Sequence, residues 1–270
     1  MTSIHPTAIV DPECELGSGV EIGPWCILRG RVRLGNNTKL IASVQMAGPV
    51  ETGDDCLFYP GASVGFPPQD FKFKLGDATA GVRIGAGTIL REHATVHAAS
   101  KPDSPTIIGN KVFMMVCSHV GHDARVGNNV ILANSALLAG HSQIADNVIM
   151  SGNTSLHQFT RIGRMAFISG HAAAAMDVPP FCILAYRNRL GGINLVGMRR
   201  AGISREHITA VREAYRFCFR KNMIRSDLIA ELTRRGQDCP LVAEMAEFCA
   251  GAKRPIAHAA GGLRTEDSAE

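Results

Sequence analysis

The sequence predicts a solenoid of short β-strands followed by a helical tail, on three observations. First, aliphatic residues recur at every sixth position from Ile4 through Val10, Leu16, Ile22, Leu28, Leu34, Leu40 and Met46. Thr52 is the one polar member before Phe58 and Val64. After an interruption the series returns at Ile84, Leu90 and Val96, then runs unbroken from Ile108 to Ile168. Second, the residue four places after each is mostly small, as at Ala8, Cys14, Cys26, Ala124, Ala136 and Ser142. Third, the six-residue period stops after Ile168 and helical spacing begins near Ser204. A strict period of six matches neither the 3.6 of a helix nor the 2 of a long strand. It fits tight coils in which one large and one small side chain per hexad point inward.

Three hexads close a triangular coil of about 18 residues, and such coils stack at about 4.8 Å, the spacing of paired strands. The pattern resembles the hexapeptide-repeat, left-handed parallel β-helix. The hand comes from that resemblance, since parallel crossovers are otherwise right-handed. Residues 1–190 are assigned to the β-helix, its regular core being about 1–175. The prolines, aromatics and lysines after Gly65 predict an external loop at about 66–81. Pro102 falls at an inward position, so the coil edge over 98–105 is expected to be irregular. Asp177-Val178-Pro179-Pro180 is expected to end the prism. Residues 191–255 are expected to form a C-terminal α-helical domain. One helix would span about 205–220, capped by Ser204, with Ile208, Val211, Tyr215 and Phe219 on one face. A second, capped by Ser226, would cover about 227–235, and a third Pro240 to Ala250. Residues 256–270 are expected to be a disordered tail.

Composition narrows the function classes. Of 270 residues 46% are hydrophobic, yet no run reaches the ~18 apolar residues of a membrane span. No signal peptide is visible at the N-terminus, so a cytoplasmic protein is expected. The eight cysteines contain no C-x-x-C pair and are expected to be reduced and mostly structural. The net charge is only +4, but Arg187 to Arg225 holds ten Lys/Arg against Glu206 and Glu213. Such a patch suits an acidic protein partner. No helix-turn-helix, finger or aromatic-basic platform supports nucleic acid.

The chemistry concentrates in Cys117-Ser118-His119-Val120-Gly121-His122-Asp123. Residues 18 apart lie one above the other, so His122 stands under Gly140 and then Gln158, with His141 and His157 alongside. Four histidines (119, 122, 141 and 157) therefore converge within three coils. Neutral imidazole removes a hydroxyl proton near pH 7. Asp123 could orient His122 by accepting its other N–H. The N–H of Gly140 could stabilise an oxyanion, since glycine admits close approach to the main chain. No serine or cysteine has a nucleophile setting, so direct acyl transfer is simpler than an acyl-enzyme. A zinc site is the rival reading, because zinc takes three histidines with an open position. Hexapeptide carbonic anhydrases do this across a subunit interface, but the ligands here would have to include His119-x-x-His122, whereas that family separates its closer pair more widely.

Several motifs together resemble the UDP-N-acetylglucosamine O-acyltransferases, which catalyse the first acylation of lipid A biosynthesis. They are His119-Val120-Gly121-His122-Asp123, Leu138-Ala139-Gly140-His141, Leu156-His157-Gln158-Phe159, Gln69-Asp70-Phe71-Lys72-Phe73 and Asn194-Leu195-Val196-Gly197-Met198-Arg199-Arg200. The likeness runs from Ile4 to about Phe248. It implies that His122 is the base at the sugar 3-hydroxyl (or 3-amine), oriented by Asp123, with Gly140 giving the oxyanion N–H. It places Gln69, Asp70, Lys72, His119 and His141 at the glucosamine, with His157 bordering the site. Gln158, Asn194, Arg199 and Arg200 would meet the nucleotide and phosphates. Gly170 takes an acyl-length position, with His171 beside it. The resemblance further implies a homotrimer with sites between subunits, no cofactor or metal, and an acyl carrier protein bearing a 3-hydroxyacyl group as donor. The basic stretch would then dock that acidic carrier. Gly121, the segment 98–105 and Val196 depart from the family pattern, which leaves open a diverged paralogue acting on another nucleotide sugar, such as the 3-amino analogue. The related N-acyltransferase carries an extra domain before its repeats, and here the repeats begin at Ile4.

Overall fold

The computed structural model describes residues 1–259 except Leu75 and Asn222. The hexads fold into a left-handed parallel β-helix with three sheets of twelve, nine and eight strands. Most strands are two or three residues long, because each hexad needs the rest for its turn. The expected 18-residue register is seen directly: Ile4 pairs with Ile22, Val120 with Leu138, and Val126 with Ile144. From Ile22 onward every aliphatic residue of the period is buried, Leu28, Phe58, Leu90, Met114, Leu132 and Leu138 completely. Ile4 is 48% exposed, since the first coil has no coil beneath it. The small positions, such as Cys26, Ala62, Ala94, Ala124 and Ala136, are buried opposite them.

Both interruptions are insertions into otherwise intact coils. Ser63 pairs with Thr95, 32 residues on, and Thr95 with His119, 24 residues on. The first coil thus carries fourteen extra residues and the second six. Both excursions leave the edge between the nine-stranded and eight-stranded sheets, and they pack on each other. Ala80 N–H donates to Lys101 O, and Ala99 N–H to Gly81 O.

Beyond the regular coils the structure corrects three expectations. Asp177-Val178-Pro179-Pro180 does not end the stacking: Cys182–Tyr186 still pairs in parallel with Phe167–Ile168, then turns back as a hairpin with Arg189–Ile193. That hairpin crosses the boundary drawn at 190/191. Ser226 is not a helix cap. The described residues form four helices, α1 (Leu195–Arg200), α2 (Arg205–Cys218), α3 (Arg225–Gly236) and α4 (Pro240–Ala250). Ser204 does cap α2 by accepting the His207 N–H, but α3 has Ile224 at its N-cap with no side-chain cap bond, leaving Ser226 inside its first turn. The tail begins ordered: Ile256 bridges Asp177, and His258–Ala259 pairs with Arg189–Leu190. The remainder of the tail, 260–270, lies outside the described residues. α2 buries Ile208, Val211, Tyr215 and Phe219 as its spacing requires. Arg161 ties the helices to the prism, bonding buried Asp177 at 2.7 Å and Phe248 O at 2.8 Å. All eight cysteines are free thiols. No helix among the described residues is long and apolar enough to cross a membrane.

The inward aliphatic column should dominate stability. Leu132→Ala, at a fully buried position, is expected to lower the unfolding free energy by about 2–5 kcal/mol in denaturant titrations. A loss below about 1 kcal/mol would contradict the assignment of the column as the core.

Candidate active site

The turns at 121–124, 139–142 and 157–160 stack along the same edge as the two insertions, and they gather most of the predicted residues. A cleft of about 470 Å³ there is lined by Gln69, Asp70, Lys72, His122, His141 and Gln158, together with Phe71 and Phe159. Asp70 holds its own loop by accepting the Lys72 N–H at 2.9 Å.

At the base of the cleft His122 Nδ1 lies 2.6 Å from Asp123 Oδ2, both side chains being only 12–13% exposed. An ionised carboxylate only accepts, so Nδ1 carries the proton and Nε2 keeps its lone pair. Asp123 is fixed from two further sides. Ser100 N–H donates to both of its oxygens at 3.1 and 3.2 Å, and its own N–H donates to Thr106 Oγ1 at 2.8 Å. Burial pushes the Asp123 carboxyl up, but the bonds from His122 and Ser100 outweigh it and hold it below the usual range. Asp123 therefore stays charged beside the imidazole.

Gly140 lies against the imidazole. A Cβ there would come 2.6 Å from His122 Nε2 and 2.7 Å from Cε1, so any side chain would displace the ring. The Gly140 N–H has no partner among the described residues. The same turn position in other coils, at His122 and Gln158, is also unpaired. Gly140 differs in facing the His122 ring.

His141 crosses His122 edge to face, with centroids 5.1 Å apart, and its Nε2 is 3.6 Å from Asp123 Oδ2. His122, Asp123 and His141 could bring ligand atoms within 4.8 Å of one another, but His119, which the zinc reading needed, is not among them. The separation of 2.6 Å between His122 and Asp123 suits a shared proton rather than an intervening ion.

His119 is set to one side. Its Nδ1 lies 2.7 Å from Thr95 Oγ1, and its ring packs against His97 at 5.1 Å. His157 is exposed, with Nδ1 3.1 Å from Gln158 O, and does not line the cleft. Asn194, Arg199 and Arg200 also stand off it within one chain. Asn194 caps α1, and its amide donates to Met165 O. Gly170 and His171 lie at another edge, where a side chain at 170 would touch only Gly152 O, at 3.6 Å.

Sequence reasoning missed Ser100, Thr106, His97 and, as a site residue, Phe159. Ser100 carries no signal, because what it contributes is a backbone N–H. Counting back from His119 across the six-residue insertion lands on Thr95, its strand partner, with His97 two residues on in the same strand.

Burial, then the neighbouring His97 and His122, lower the His119 pKa to about 4. The unfolded chain, with a histidine near 6.5, takes up more protons between pH 6.5 and 4. His119 should therefore lower stability as pH falls through that window. An NMR titration should give His119 a midpoint near 4, whereas a midpoint near 6.5 would contradict the buried, neutral assignment.

Residues 177–257 match the family described as UDP-N-acetylglucosamine O-acyltransferase, domain 2. The chain is 41% identical over 258 residues to the acyl-[acyl-carrier-protein]–UDP-N-acetylglucosamine O-acyltransferase of Thermodesulfovibrio yellowstonii, covering 95% of this chain and 99% of that one. It is 40% identical to the protein of the same name from Brucella ovis, over 92% of this chain and 89% of the relative. In three dimensions it resembles the UDP-N-acetylglucosamine acyltransferase of Francisella novicida, with a TM-score of 0.91 and 30% identity over 98% of this chain and 95% of that one. At these identities and near-complete coverage, the chain belongs to the UDP-N-acetylglucosamine O-acyltransferase family.

Proposed function

We propose that this acyltransferase moves a 3-hydroxyacyl group from acyl carrier protein to the glucosamine 3-hydroxyl of UDP-N-acetylglucosamine, the first step of lipid A biosynthesis in the cytoplasm. The names of the relatives support acyl carrier protein as the donor's carrier and UDP-N-acetylglucosamine as the acceptor. The observation that carries the mechanism is the His122–Asp123 pair at 2.6 Å, with Nε2 set close against Gly140, whose N–H has no partner among the described residues.

His122 Nε2 takes the proton of the sugar hydroxyl as its oxygen attacks the thioester carbonyl carbon. The Gly140 N–H donates to the oxyanion of the tetrahedral intermediate. Asp123 keeps the Nδ1–H tautomer and balances the imidazolium. The C–S bond then breaks, and the departing thiolate takes that proton from Nε2 and leaves as the thiol. No acyl-enzyme is formed. Asp70, Lys72, Gln69 and His141, which line the cleft, hold the glucosamine, with His119 and His157 flanking it. Gln158 extends the cleft toward the nucleotide.

Asn194, Arg199 and Arg200 reach the nucleotide and phosphates from a neighbouring subunit of a homotrimer. An outward row on the twelve-stranded sheet supports such an assembly. Leu57, Ile89, Phe113, Ile131, Ile149 and Phe167 stack in register, half-buried and uncovered in the single chain. Gly170 and His171 set the acyl length. The exposed Arg205, Arg212 and Arg216 of α2, with Arg220 just beyond it, dock the acidic carrier.

The test is transfer from 3-hydroxyacyl carrier proteins of graded chain length to UDP-N-acetylglucosamine, with a chelator present. His122→Ala is expected to lower kcat by about 10²- to 10⁴-fold, the usual worth of a general base. Native-like turnover by the variant would contradict the base assignment, and loss of native activity in chelator would favour a metal.

A further inference from the structure

We propose that Phe159 is a positioning residue. Its ring, stacked on His141, holds that imidazole against Asp123 and so keeps Asp123 aimed at His122. The inference rests on the acyltransferase mechanism above and extends it by one residue.

Asp123, His141 and Phe159 occupy the same turn position in three successive coils, with φ of 59, 60 and 63°. The shared left-handed conformation points the three side chains along one edge of the prism, each over the last. The His141 and Phe159 rings are nearly parallel, at 7°, with centroids 4.5 Å apart. On its other side His141 presents Nε2 to Asp123 Oδ2 at 3.6 Å. That same oxygen lies 2.6 Å from His122 Nδ1. A contact chain therefore runs from phenyl to imidazole to carboxylate to the catalytic imidazole.

Core packing does not account for this phenylalanine. A bulky side chain at positive φ is costly, and Met165 and Phe181, which share that conformation, are buried to 4% and 0% exposure. Phe159 is 50% exposed. Trp25 is exposed too, at 64%, in a turn with no site beside it. Exposure alone therefore proves nothing, and the weight falls on the stack. His141 has no side-chain hydrogen bond of ordinary length among the described residues, its nearest polar contact being the one at 3.6 Å. Without the stacked ring little would hold its plane. An aromatic pair is a restraint of modest but measurable strength.

The competing role is direct contact with ligand, since Phe159 lines the cleft as well. A double-mutant cycle separates the two. Phe159→Leu is expected to lower kcat/KM about two- to tenfold, the worth of one aromatic pair, and to cause no further loss in a His141→Ala background. Phe159→Tyr, which keeps the ring, is expected to restore most of the activity. Equal losses in both backgrounds would overturn the proposal in favour of ligand contact, and no loss in the native background would overturn it outright. A second readout is independent of turnover. The His141 ring protons should show an upfield ring-current shift by NMR that Phe159→Leu abolishes and Phe159→Tyr preserves. Unmoved His141 resonances in Phe159→Leu would also overturn it. Absence of acyl transfer by the native chain would instead count against the proposed reaction, and the NMR comparison would still decide the stack.

Discussion

Everything in this protein depends on the hydrogen bonds that hold each coil on the next in an 18-residue register. His119 N–H donates to Ala136 O at 2.9 Å, Gly121 N–H to Leu138 O at 2.8 Å, and His141 N–H to His122 O at 2.9 Å. These bonds run through the site itself. Each contributes only about 0.5–1.5 kcal/mol, but together with the inward aliphatic column they make vertical position a function of residue number. A side chain on one turn is thereby fixed against those 18 residues away. An inserted residue that was not looped out would turn every later inward residue outward.

That rule explains what could be read from the sequence. The period locates the core, and counting by 18 places Gly140 and Gln158 over His122. The pairing of His122 with Asp123 followed from adjacency at a turn. What escaped lies where periodicity ends. Ser100 reaches Asp123 from within an aperiodic insertion, and Thr106 from the strand that directly follows it. α1 is six residues long, too short for spacing to declare it. Ser226 looked like a cap because serine favours that position, yet tertiary packing begins α3 before it. Asn194, Arg199 and Arg200 were grouped with the site through family resemblance, and within one chain they stand away from the cleft.

The converging histidines are not equivalent, and their surroundings separate them. His119 is buried beside His97 and lowered to about 4, so it stays neutral and is already engaged with Thr95. His157 is exposed and faces its own neighbour's carbonyl. His141 is pinned between a carboxylate and a phenyl ring. Only His122 couples a short bond to a charged carboxylate with a second ring nitrogen set close against the Gly140 backbone. The scaffold supplies rigidity and the insertions supply the groups that fix Asp123 and line the cleft, a division common to sites built on rigid frames.

The central claim is that Asp123 makes His122 a base. The direct measurement is kcat and KM for Asp123→Asn, with the fold checked by thermal melting. The account predicts a kcat lower by about 10²- to 10⁴-fold with KM little changed, because the amide would favour the wrong tautomer. A kcat within about threefold of native would contradict it, as would a loss confined to KM.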